Sequence, residues 1–292
     1  DLNDSDYARY KGNVQFNQFN LGRLLGNSSL GKATFNLDVD GIGFTQATLN
    51  TRLEGTIKKL RFNGYTYTNI EVLGVLDNPY FNGKLVSKDP NFQFEFNGLA
   101  DVSRTQNVYD FKASVAYADL NALNFVRRDS IAVMKGDIVM NMEGNNLNDA
   151  RGELSLNNFS YQNHEELFEF EELKVISSFD NEIRKIQINS PDVISGEVEG
   201  IFNINEVPAL FQNAVGSLYT NYKPIAIEGN QYLDFNFDIY NKIVEVFFPD
   251  IELAPNTFIR GSVESEESDF ELTFRSPQIN VFENMFEKVN LQ

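Results

Sequence analysis

The chain has no cysteine, no tryptophan and a single histidine in 292 residues. The missing cysteines exclude disulfide frameworks, thiolate metal sites and cysteine nucleophiles. One histidine and no cysteine leave no ligand set for a transition metal, and His164, in Asn163-His164-Glu165-Glu166, is expected in a solvated turn. The same scarcity removes a Ser-His-Asp or Cys-His arrangement, so the chain is expected not to be an enzyme. No run approaches the ~18 apolar residues that span a bilayer. Basic residues are the minority: 24 against 42 acidic ones, a formal charge of −18 that repels a phosphate backbone and argues against nucleic-acid binding. The polar opening Asp1-Leu2-Asn3-Asp4, without an initiator methionine, suggests a processed or excised piece of a longer protein.

What is present is apolar area in a regular pattern. Hydrophobic residues make up 42% of the chain and phenylalanine alone numbers 26, enough to bury a large core. Asparagine, about 12% of residues, supplies turns and left-handed backbone. Apolar and polar residues alternate with a period of two in Val14–Asn17, Thr34–Asp40, Phe92–Asn97, Asp137–Glu143, Glu197–Ile204, Leu233–Ile239 and Phe270–Phe274. Successive strand side chains point to opposite faces, so each run sets Phe, Leu, Ile or Val against Asn, Gln, Asp or Glu. Roughly seventeen such runs, with Asn63-Gly64, Asn78-Pro79, Asn82-Gly83, Asp89-Pro90 and Asn97-Gly98 as expected turns, predict an all-β, mostly antiparallel protein. Four short helices are expected behind asparagine or aspartate caps, at Asn20–Leu25, Asp119–Phe125, Asn205–Phe211 and Asn280–Phe286. Pro208 suits a first helical turn.

The spacing of those helices reads as a degenerate internal repeat, with units at 1–110, 111–211 and 212–292 in one continuous body. No Ser/Gly/Pro-rich linker separates them. Seventeen strands at ~4.8 Å give a ladder of some 80 Å, which must twist and coil. The expected architecture is an elongated, curved sheet folded into a taco-like groove, with short helices between repeat units.

Acidic clusters, Glu165, Glu166, Glu169, Glu171 and Glu172, and Glu264, Glu266, Glu267 and Asp269, match no twelve-residue calcium loop and read as solvated face. Gly41-Ile42-Gly43 lacks the following helix of a phosphate cradle and reads as a turn. The phenylalanine-rich face is the feature that carries chemistry. Its ordinary reading is a closed core; its functional reading is a trough for acyl chains, lined by Phe35, Leu37, Val39, Phe92, Phe94, Phe96, Ile138, Met140, Met142, Phe235, Phe237, Ile239, Phe270, Leu272 and Phe274. A chain of about sixteen carbons costs on the order of 12 kcal/mol to expose to water, so a continuous apolar lining removes most of that barrier.

Three features carry a family resemblance. They are the strand–helix–strand units, the segment Asn63–Ile70, and Phe81-Asn82-Gly83-Lys84-Leu85 continuing through Asp89-Pro90-Asn91-Phe92 and Phe94 to Gly98. In strand spacing and turn placement they resemble the periplasmic part of the AsmA-like family, in particular TamB-type translocation and assembly module proteins. The likeness implies a Gram-negative periplasmic location, with an inner-membrane anchor in the full-length protein, and an apolar groove that moves phospholipid between the membranes. It also implies a partner, a TamA-like outer-membrane barrel of the insertase family, and no cofactor. Two alternatives remain open: a scaffold or chaperone that assists outer-membrane barrel assembly by strand addition, and an adhesin or carbohydrate-binding β-sandwich.

Overall fold

A computed structural model describes residues 7–24, 26–45, 47–77, 80–102, 105–216, 221–240, 251–265, 270–281 and 284–292. The chain is all-β, with seventeen strands in one antiparallel sheet that is not closed. The strands are β1 (Arg9–Asn20), β2 (Leu30–Ile42), β3 (Asn50–Phe62), β4 (Tyr65–Asp77), β5 (Tyr80–Asp89), β6 (Phe92–Asp101), β7 (Val108–Asp119), β8 (Val133–Glu143) and β9 (Arg151–Gln162). There follow β10 (Leu167–Asp180), β11 (Ile183–Asn189), β12 (Ile194–Ile201), β13 (Tyr232–Ile239), β14 (Ile251–Leu253), β15 (Thr257–Glu264), β16 (Phe270–Val281) and β17 (Asn284–Leu291). Among the described residues two α-helices interrupt them, α1 (Leu21–Leu24) and α2 (Val207–Gly216). Among the described residues no helix is long and apolar enough to cross a membrane.

The chain divides into two compact units, one of residues 1–143 and 156–169, the other of residues 144–155 and 170–292. In the first, β1 to β8 form a meander in which each strand pairs with the next. In the second, β10 to β13 do the same, β13 then pairs with β15, β15 with β16, and β16 with both β14 and β17. Sequential neighbours pair because a short hairpin closes the least loop entropy for each strand added.

Two of the expected turns are present. Phe62 pairs with Tyr65 across Asn63 (φ 48°) and Gly64 (φ 81°), both left-handed, as a two-residue hairpin with the native strand twist requires. Pro90 and Asn91 connect β5 to β6, with Asp89 opposite Phe92. Asn82-Gly83 and Asn97-Gly98 are not turns; both lie inside strands, where Gly83 pairs with Gly74 on one side and Gly98 on the other. Glycine serves there because the strands pack without room for a side chain: a Cβ on Gly98 (φ +143°) would lie 2.5 Å from the Phe111 Cα. Asn78-Pro79 lies outside the described residues, as do Leu25 and residues 266, 267 and 269 of the second acidic cluster.

The expected helices divide in the same way. Asn20 caps α1, accepting from the Arg23 amide at 3.1 Å. The third is real but starts elsewhere. Asn203 caps a single turn over Ile204–Glu206, its side chain accepting the Asn205 amide at 3.0 Å, and α2 continues from Val207 with Pro208 in its first turn. At Asp119 the helix closes one turn only, with the Leu123 amide donating to the Asp119 carbonyl, before Asn124 (φ 64°) leaves the right-handed region. Of the helix expected at Asn280, the described residues are strand instead: Asn280 pairs with Met285 and Val281 with Asn284 between β16 and β17, where strand pairing outweighs a weak local helical preference, and Phe282 and Glu283 lie outside the described residues.

Candidate functional site

Cross-strand partners share a face, so the registers show what each sheet face is made of. In the first unit one transverse row runs Val14, Leu37, Gly55, Val72, Leu85, Phe96, Ala113, Ile138 across all eight strands. The next row is Phe16, Phe35, Ile57, Ile70, Ser87, Phe94, Val115, Gly136. On the other side of the first row lie Gly12, Val39, Leu53, Gly74, Gly83, Gly98, Phe111 and Met140. Beyond them come Tyr10, Gly41, Thr51, Leu76, Phe81, Ala100, Tyr109 and Met142. Only Ser87 and Thr51 break the apolar character of four adjacent rows. The opposite face carries rows such as Asn13, Asp38, Glu54, Leu73, Lys84, Asn97, Lys112 and Val139, with exposed ion pairs Lys84–Glu95 and Lys88–Glu71.

The nine nominated residues of this unit all belong to those four rows or to their continuation, and none is exposed. Leu37 and Phe96 are buried, while Phe35, Val39, Phe92, Phe94, Ile138, Met140 and Met142 are half-buried. Aromatic rings run along the face: Phe92 stacks on Phe94 at 4.8 Å, Phe94 lies 6.3 Å from Phe96, and Phe96 is flanked by Phe111 at 5.0 Å and Phe81 at 6.1 Å. Phe81 and Phe111 lean over the side-chain-free line of Gly74, Gly83 and Gly98. Phe35 is met from β1 by Phe16 at 5.5 Å and Phe19 at 6.2 Å.

One end of the face is capped. The turn after β7 places Leu123, fully buried, against Tyr67, Val115 and Ala118, with Phe92 and Phe94 packed alongside. The Asn121 side chain holds the following loop by donating to the carbonyls of Val126 (3.2 Å) and Asp129 (2.8 Å).

In the second unit the face is built the same way, through Val175, Ile188, Gly196, Phe237, Ile259, Phe274 and Leu291, and through Ser177, Ile186, Val198, Phe235, Gly261 and Leu272. Here α2 lies on it. Leu210 and Ala214 pack with Leu233, Phe235 and Val263, and Phe211 meets Phe235 at 5.3 Å and Phe270 at 6.2 Å, edge-on in both cases. Phe235, Phe270 and Leu272 therefore sit in the cluster covered by the helix. Ile239 and Phe274 are buried, and Phe237 is half-buried. The amphipathic spacing of Val207, Leu210, Phe211 and Ala214 was readable; which strands that stripe would cover was not.

Sequence reasoning missed the buried polar groups at the margins of the apolar face. Asp89, 1% exposed, accepts from Tyr65 Oη at 2.7 Å, Thr68 N and Oγ1 at 2.8 Å each, and Asn91 N at 2.9 Å. Burial alone would raise this carboxyl, but the donors outweigh it and hold it below the usual carboxylate range. Burial, with the neighbouring Tyr65 and Asp89, pushes the Tyr67 phenol up to about 12. Asp129 repeats the theme, accepting from Tyr161 Oη at 2.6 Å with Arg128 beside it; burial and this bond raise Tyr161 to about 12. In the second unit Arg184, 4% exposed, stands on the apolar face and donates to the Leu147 carbonyl (2.6 Å), the Ala150 carbonyl (3.1 Å) and Ser177 Oγ (3.1 Å). These groups fasten turns to the sheet; sequence spacing could not reveal them, because their partners lie up to 37 residues away.

His164 is exposed in the turn after β9, 3.4 Å from Glu165, and Glu165, Glu166, Glu169, Glu171 and Glu172 are all exposed. Among the described residues no group of three or more His, Asp or Glu side chains is arranged to hold a metal ion. Gly41 and Ile42, expected in a turn, lie within β2 because they pair with β1 and β3 on either side; only Gly43 (φ 77°) falls past the strand end, where its amide donates to the Ala8 carbonyl. No family model, curated protein or solved structure matches the chain.

Proposed function

We propose that the chain is a non-enzymatic lipid-handling protein whose apolar sheet face takes the acyl chains of phospholipid. The supporting observation is the half-burial of that face in the first unit: four apolar rows cross eight strands, yet most of the nominated side chains are only partly covered. In a sealed core the largest apolar side chains would be the most buried. Here, among the described residues, the largest side chains below 2% exposure are Leu123, Leu210, Val263, Thr257, Asp89, Asp101 and Ser190, with no phenylalanine among them. A face of this kind can replace water around a methylene chain at ~0.8 kcal/mol per CH₂ without specific contacts. The resemblance to TamB-type members of the AsmA-like family points the same way. It extends the reading to transport between the membranes, outer-membrane biogenesis, a periplasmic location and a TamA-like barrel partner.

The test is mass spectrometry of lipids co-purified with the folded protein, repeated on Phe94→Asp/Met140→Asp. The reading expects bound phospholipid in the wild type and its loss in the variant, with the sheet's circular dichroism retained. Wild-type protein free of lipid, or equal lipid in a folded variant, overturns it.

One observation favours strand addition as a second reading. Among the described residues β17 pairs only with β16, and it exposes Met285, Phe286 and Leu291. A peptide that adds to this edge would protect the β17 amides from hydrogen exchange and leave lipid content unchanged.

A further inference from the structure

A second surface of the first unit stands apart from the apolar face. Residues 12–37 and 55–70 contain Arg23, Lys32, Lys58, Lys59 and Arg61 and not one Asp or Glu, in a chain where acids outnumber bases 42 to 24. The registers gather these segments at one corner. Thr34 pairs with Lys59, Leu30 with Phe62, Lys32 with Asn20, and Arg61 with Thr66, while α1 carries Arg23 into β2. The aliphatic stem of Arg61 lies over Gly31, where an added Cβ would approach its Cβ to 3.0 Å.

All five side chains are exposed, and among the described residues none of them joins an ion pair. Elsewhere five lysines of this acidic chain find carboxylates: Lys11 with Asp40, Lys84 with Glu95, Lys88 with Glu71, Lys174 with Glu153, Lys185 with Glu197 and Glu199. Ordinary solvated cations would be scattered among the acids in the same way. The corner adjoins the loop after β7, where Asn124 Nδ2 donates to the Asn63 carbonyl at 3.3 Å. That loop exposes Phe125 (55%) and Ile131 (46%), with the exposed Arg127 between them.

We propose that this corner docks the protein on a surface of anionic phospholipid headgroups, with Phe125 and Ile131 entering the headgroup boundary. The charges supply attraction and the two apolar tips supply depth. Each Lys or Arg close to an anionic leaflet is worth about fivefold in binding. Screening confines that attraction to groups within roughly 10 Å of the surface, so distant acids do not cancel it. The chain's net −18 repels its other faces, so approach is oriented by the corner. A soluble polyanion would meet the same cations, but it has no boundary for Phe125 to enter.

The proposal does not depend on acyl chains reaching the apolar face. The experiment is co-sedimentation of the full chain with phosphatidylcholine vesicles containing about 30% phosphatidylglycerol, against pure phosphatidylcholine, at roughly 0.1 M salt. The wild type should prefer the anionic vesicles. Lys59→Gln/Arg61→Gln should weaken that binding about 25-fold, and Phe125→Ser/Ile131→Ser should weaken it while leaving binding to heparin unchanged. Equal binding to both vesicle types, an undiminished Lys59→Gln/Arg61→Gln variant, or indifference of vesicle binding to Phe125→Ser/Ile131→Ser each overturns the proposal; the last would make the corner a polyanion site.

Discussion

Replacing Asp89 tests the reasoning about how the aromatic end of the first unit is held. Its carboxylate collects four donors from three residues, Tyr65 and Thr68 on β4 and Asn91 in the turn between β5 and β6. In Asp89→Ala the Thr68 amide loses its acceptor and has no free water in a site 1% exposed, at about 1–3 kcal/mol. The two hydroxyls can turn elsewhere and lose about 0.5–1 kcal/mol each, and Asn91 N lies in a turn that water reaches. The sum is about 3 kcal/mol against the first unit, and Asp89→Asn, which keeps one acceptor oxygen, should cost about half of that. Urea unfolding followed by circular dichroism and tyrosine fluorescence measures both, with hydrogen exchange at Thr68 locating the change. The pH dependence adds a sign. Asp89 is depressed in the fold, so its contribution is present above the ordinary carboxylate value of 3.8 and disappears as pH falls through its lower folded value. The gap between wild type and Asp89→Ala must therefore narrow on acidification. A gap that ignores pH, a loss under ~1 kcal/mol for the alanine, or an asparagine as costly as the alanine would each refute the account.

Further outcomes are expected elsewhere. Alkaline titration of phenolate absorbance should show Tyr67 and Tyr161 ionising near 12; because both are raised, the stability they lend is whole below pH 10 and is lost as pH climbs through 12. Gly98→Ala should destabilise the first unit by about 2 kcal/mol or more, since the new Cβ would run into the Asp110 carbonyl and lie 2.5 Å from the Phe111 Cα; denaturant midpoints report it. Leu210→Ala should cost about 2–5 kcal/mol in the second unit and raise the access of a hydrophobic dye to the Phe235 cluster. Arg184→Ala, which leaves the Leu147 carbonyl without its Arg184 donor and the Ala150 carbonyl with the Ser177 hydroxyl alone, should cost about 1–3 kcal/mol, whereas Arg184→Lys should recover only part of it because one ammonium cannot span both carbonyls and Ser177.

The alternation Phe35–Leu37–Val39 against Asn36–Asp38–Asp40 reads as inward against outward in the sequence, and in the fold the first three are buried or half-buried and the second three exposed. The same holds for Phe92–Phe94–Phe96 and Phe235–Phe237–Ile239. This much is local, because the direction of a strand side chain follows from its own backbone whichever strand lies next to it. Asn63-Gly64 was legible for the same reason: two left-handed residues between alternating runs demand a hairpin wherever they occur. Asn82-Gly83 and Asn97-Gly98 show where local reading stops. The same letters lie mid-strand because Gly74, Gly83 and Gly98 come to one line across three strands, and only pairing brings them there. The helix expected at Asn280 gave way to β17 on the same grounds.

The amino-acid order by itself determined that the protein is antiparallel sheet, that one face is phenylalanine-rich and the other polar, and that these residues hold no cysteine. Tertiary structure decided how the rows of eight strands join, that Leu123 and α2 cover parts of the apolar face, that Asp89, Asp129 and Arg184 stand buried, and that five cations with no ion pair among the described residues share one corner. Period-two alternation is a property of a single strand, whereas register and cover are set by contacts between segments far apart in sequence, whose energies no short window contains.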